Sequence, residues 1–130
     1  MVLDIGDAVR LWFQATNPPK EKRAIVVSTN PCWFFLINSS INNFQKKRPD
    51  ILRGIVEIYF DGNNGILRHD SVVDCNEVIV PAAGWEELLE DEPHRYLGPI
   101  DRRARRAIRR GVTDSATLIG VHKTILLQQI

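Results

Sequence analysis

The chain has 130 residues, 44% hydrophobic and 25% charged, with 17 Lys and Arg against 16 Asp and Glu and a formal net charge of +1. That size and mixture fit one globular domain, residues 1–130, with a hydrophobic core. No apolar run approaches the ~18 residues of a membrane span. The opening Met1-Val2-Leu3-Asp4 lacks the basic start of a signal peptide, so a cytoplasmic protein with no membrane partner is expected.

In chain order, residues 8–13 follow a Gly6-Asp7 turn and read as an aromatic-ended strand. Residues 17–23 form a polar, proline-broken loop, and residues 24–28 a compact apolar run. After a turn at Thr29-Asn30-Pro31, residues 33–37 read as a strand too uniformly apolar to keep a solvated face. Residues 38–53 are polar and are expected to be an irregular loop. Residues 54–60 alternate as a strand, residues 61–65 reverse the chain, and residues 71–73 and 78–80 are strand pieces. Close-spaced short strands predict a small barrel over residues 1–80.

The last third, residues 81–130, predicts a helical extension packed on that barrel. The fold class expected is therefore mainly β with C-terminal α, an α+β chain. Residues 85–89 read as a short helix and residues 115–127 as another, with Leu118, Val121 and Ile125 sharing a face. Between them lies Asp101-Arg-Arg-Ala-Arg-Arg-Ala-Ile-Arg-Arg-Gly111, six arginines in nine positions. At 100° per residue Ile100, Ala104, Ala107 and Ile108 fall on one face, and the arginines fill an arc of roughly 160° on the other. Asp101 and Gly111 read as the punctuation of this helix. The acidic stretch Glu86, Glu87, Glu90, Asp91 and Glu92 precedes it, either neutralising it or leaving it for an external anion.

Cys32 and Cys75 lie in apolar runs without metal-ligand spacing and are expected to be buried free thiols. His69, His94 and His122 show no metal-ligand spacing either, and neither a metal nor a cofactor is expected. Trp12, Phe13, Trp33, Phe34, Phe35, Tyr59 and Phe60 serve either as core or as a stacking surface for bases.

Several short signposts resemble the PemK/MazF toxin family, small SH3-like barrels of bacterial toxin–antitoxin systems. These are Gly6-Asp7-Ala8-Val9, Lys22-Arg23-Ala24-Ile25-Val26-Val27-Ser28, Ile37-Asn38-Ser39-Ser40, and residues 65–73 ending in Ser71-Val72-Val73. They span roughly residues 6 to 80, and Ala24 stands where the family usually has proline. The resemblance implies a homodimer that acts on single-stranded RNA, with an antitoxin protein as partner. It also implies metal-independent cleavage through attack of the ribose 2′-hydroxyl on the adjacent phosphate. That reaction needs a base, an acid and a cation for the developing charge. Carried over by position, Arg23 steadies the phosphate and Ser39 or Ser40 hydrogen-bonds RNA.

One departure bears on cleavage. Where active members carry a basic residue and, two positions later, an aspartate, this chain has Asp74 and Asn76. A carboxylate repels phosphate and an amide is neither acid nor base. His69, flanked by Arg68 and Asp70, is the substitute acid–base candidate. Adjacent residues of a strand point to opposite faces, so those three converge only in a turn. The catalytic candidates are thus Arg23, Ser39 and His69, and the RNA-binding candidates Lys22, Ser40, Arg68, Arg102, Arg105, Arg106 and Arg109. The alternative reading is a barrel without cleavage that binds nucleic acid or an acidic protein through the Arg102–Arg110 helix.

Overall fold

The computed structural model describes residues 2–14 and 20–130. The elements are β1 (Asp7–Phe13), β2 (Lys20–Thr29), β3 (Cys32–Asn38), α1 (Asn43–Lys46), α2 (Pro49–Leu52), β4 (Ile55–Ile58), β5 (Ser71–Asp74), α3 (Trp85–Asp91), β6 (Tyr96–Pro99), α4 (Arg102–Asp114) and α5 (Gly120–Gln129). The six strands form one antiparallel sheet in the order β4-β5-β3-β2-β1-β6. The class is mixed α+β.

The expected closed barrel is not found, because β4 and β6 are edges that do not pair with each other. Helix α4 takes that position: it starts three residues after β6 at one edge and packs against β4 at the other. Strand β6 itself comes from the part expected to be helical. Glycine at Gly6 and Gly98, with φ of 92° and 108°, brackets the place where β6 joins β1.

Both faces of the sheet are covered, which is why residues 24–27 and 33–37 are apolar without alternation. One core gathers Ile25, Val27, Phe35, Val56, Ile58 and Val73 beneath α4 and α5. The other gathers Val9, Leu11, Phe13, Val26 and Phe34 with Leu89 of α3. Ile100, Ala104, Ala107 and Ile108 are all buried in the first, as the helical period required.

Other expectations shift. The polar stretch 38–53 holds α1, closed by reciprocal capping between Asn42 and Gln45, and α2, opened by Pro49. Residues 78–80 supply only a bridge between Ile79 and Phe34. Strand β2 begins at Lys20, inside the expected loop, of which residues 17–19 lie outside the described residues. Gly111 does not end α4 but sits buried within it, where a Cβ would come 2.8 Å from Cys75 Sγ and Val56 Cγ1. In α5 the buried side chain is Leu126, while Val121 of the expected apolar face is exposed. Helix α3 and its acids cover the opposite sheet face from α4, and no ion pair among the described residues joins the two. Cys32 and Cys75 are free, Cys75 buried and Cys32 partly so. Among the described residues no helix is long and apolar enough to cross a membrane.

Candidate anion-binding cleft

Strand alternation builds the cleft. Val9, Leu11 and Phe13 of β1 point into the α3-side core, so Arg10 and Trp12 project with Ala8 on the other face. In β2, Ala24 and Val26 occupy the α3 side, which sends Glu21 and Arg23 to the face of Ile25. The hairpin register then sets Arg10 directly opposite Arg23, and Trp12 opposite Glu21. Ser39 extends the same face beyond Ile37 of β3, and Arg68 arrives from the bend before β5.

Together Arg10, Glu21, Lys22, Arg23, Ile37, Ser39 and Arg68 line a cleft of about 290 Å³. Three predicted residues, Arg23, Ser39 and Arg68, therefore meet on one face, while Lys22, between Glu21 and Arg23, borders the cleft and turns its side chain to the other face, toward Asn38. Trp12, 47% exposed, stands beside them on the same strand face.

The electrostatics of the cleft are unbalanced. Burial, then the charges of Arg68 and Arg10, push the Arg23 guanidinium below its usual range. Lys22 is lowered too, by burial and by Lys20, while its ammonium donates to Asn38 Oδ1 at 2.7 Å. The carboxylate lining the cleft, Glu21, is shared. Its Oε1 lies 3.4 Å from Arg10 Nε and is also hydrogen-bonded by Arg95. Burial works against the Arg95 charge, but Glu21 and Glu92 outweigh it and raise its pKa. Arg10 Nε is left buried without a hydrogen bond. Like charges directly opposite on paired strands are destabilising, and here one carboxylate serves several cations. Clustered guanidinium groups of this kind can hold an anion of the size of a phosphate.

The remaining candidates go elsewhere. His69 is exposed and does not line the cleft; its Nδ1 lies 2.7 Å from the backbone oxygen of Asp70. The Asp70 carboxylate accepts from Phe60 N at 2.9 Å, so it does not orient the imidazole. Arg68 and His69 lie in a bend, and of the three only Arg68 lines the cleft. Ser40 is exposed and outside the cleft lining.

Of the helix arginines, Arg105 donates to Ile5 O at 3.4 Å, and Arg109 donates to Leu127 O and Ile130 O at 3.1 and 2.8 Å, closing the end of α5. Asp74 and Asn76, the departures from the toxin pattern, form a structural knot outside the cleft. Asn76 Nδ2 donates to Ile51 O and Asp74 Oδ1, and the Ser115 hydroxyl donates to Asn76 Oδ1 at 2.6 Å.

Arg10 and Glu21 escaped the sequence reading, since residues 8–13 read only as an aromatic-ended strand and residues 17–23 as a loop. They join the cleft through the β1–β2 register, which pairs Arg10 with Arg23 and Trp12 with Glu21. Among the described residues no group of three or more His, Cys, Asp or Glu could hold a metal ion. The chain matches no family model, and no curated protein matches it significantly.

Proposed function

We propose that this protein acts on single-stranded RNA in the manner of a PemK/MazF-like toxin, taking a phosphodiester into the cleft between Arg10, Arg23 and Arg68. The observation that carries the reading is the cross-strand pair Arg10–Arg23 with Arg68 beside it, short of carboxylate. Guanidinium groups hold phosphate oxygens bidentately, and the Ser39 hydroxyl adds a neutral hydrogen bond at the rim. Trp12 offers an aromatic face to an adjacent base. The finer fold reading is an SH3-like barrel opened between β4 and β6, with α4 in the gap.

Strand binding is the core of the proposal. For cleavage, the cleft brings a cation for the phosphorane, but its carboxylate Glu21 is already engaged by Arg10 and Arg95. His69 stands outside. The test is a gel-shift titration of a labelled single-stranded RNA against wild type and the Arg10→Gln, Arg23→Gln and Arg68→Gln variants, in EDTA. Binding by wild type and weakening by each variant supports the reading; RNA that never shifts removes it. Product carrying a 2′,3′-cyclic phosphate in the same samples would add metal-independent cleavage.

A further inference from the structure

The arginines of α4 divide between two hollows that share Arg106. Arg105 and Arg109 are turned to backbone carbonyls at the N-terminus and at the end of α5. Arg103, Arg106 and Arg110, spaced i, i+3, i+7, form a different stripe facing edge strand β4. There they meet Arg53, from the turn that enters β4, and enclose a groove of about 610 Å³. Ala104, Ala107 and Val56, all buried, line it as well, where α4 packs on β4.

The charges in this groove are only partly compensated, four arginines against two carboxylates. None of the guanidinium groups of Arg53, Arg103, Arg106 and Arg110 makes an ion pair or hydrogen bond among the described residues. Two carboxylates share the wall, Glu57 and Asp114. Glu57 accepts from the Tyr59 hydroxyl at 3.3 Å, which leans it along its own strand. Arg103 is held over the Tyr59 ring, 4.1 Å from its centroid, so one wall of the groove is preset by a cation–π contact. Like charges at i, i+4 on a helix are unfavourable, and Arg106–Arg110 is such a pair.

We infer that the groove between β4 and α4 is a second anion site that binds consecutive phosphate groups of a polyanion. Along α4 the stripe from Arg103 to Arg110 rises about 10 Å, the length of a short phosphate chain and not of a single ion. Two sources present that chemistry: a free polyphosphate, or the backbone of an RNA strand. The site stands on its own residues and does not depend on the reading of the Arg10–Arg23–Arg68 cleft.

The test follows the Arg103 Nε–Hε and Tyr59 ring signals by NMR while inorganic tripolyphosphate, and separately a short oligouridylate, is titrated into the full chain at low salt. Saturable shifts at those groups are expected with at least one probe. The double variant Arg106→Gln/Arg110→Gln should weaken that binding about tenfold or more, for the loss of two charge-assisted contacts. The double variant Lys46→Gln/Lys47→Gln, which removes the same charge from the exposed end of α1, should change it less than about twofold if binding is local. A response to tripolyphosphate alone assigns a free polyphosphate; a response to the oligouridylate assigns an RNA backbone. Absence of saturable shifts with both probes, or equal weakening by the two double variants, overturns the inference.

Discussion

Arg23 sits where its own fold disfavours it, since burial and the neighbouring Arg68 and Arg10 lower its pKa. Replacing it with glutamine relieves a like-charge contact worth about 0.2–1 kcal/mol. Arg23→Gln should therefore leave the Tm unchanged or raise it by about 1–4 °C in thermal unfolding followed by circular dichroism. Glu21→Gln should do the reverse, because it strips Arg10 and Arg95 of their shared carboxylate. A second residue-scale outcome concerns Tyr96, whose hydroxyl donates to Asp7 Oδ1 at 3.0 Å. Burial, then that bond and the Asp7 and Asp4 charges, raises its pKa above 10.0. A folded pKa raised above the unfolded one gives stability that is present below about pH 10 and lost as pH climbs through the folded value. Denaturation midpoints should fall over that alkaline range, and Tyr96→Phe should flatten the fall.

Helix α4 was legible because its pattern is local: an apolar stripe at helical period and an acid at its start, Asp101, which the structure makes the N-cap, its carboxylate accepting from Ala104 N at 2.8 Å. Asp101→Ala should cost about 0.5–2 kcal/mol in chemical denaturation. Gly111 looked like a terminator by the same local logic. Its purpose is set by partners far away in sequence, since it lets α4 close on Cys75 and Val56. Gly111→Ala should destabilise by about 1–3 kcal/mol through overpacking, although alanine is the better helix former. Helices α1 and α2 were missed because four residues carry no period, only a capping pair and a proline. The cleft was half legible. Motif positions marked Lys22, Arg23, Ser39 and Arg68, whereas Arg10 and Glu21 join them only through strand register, which no local pattern reveals.

At the scale of the molecule, one sheet separates two cores, with α4 and α5 on one side and α3 on the other. Strands β1, β2 and β3 contribute to both, so the cores should unfold together in one transition. Leu89→Ala on the α3 side and Ile108→Ala on the α4 side should each lower the same single Tm, at a cost of about 2–5 kcal/mol. Where this two-sided packing ends, the face of Ala8 and Ile25 runs on into Arg10 and Arg23, and the charges begin. The direct measurement of what that charged end does is the salt dependence of single-stranded RNA binding, read by fluorescence anisotropy for wild type and Arg23→Gln. A phosphate gripped by Arg23 gives a log–log slope that becomes shallower by about 0.7 in the variant, with weaker binding at every salt concentration. Equal slopes and equal affinities for the two proteins would contradict a phosphate held in this cleft.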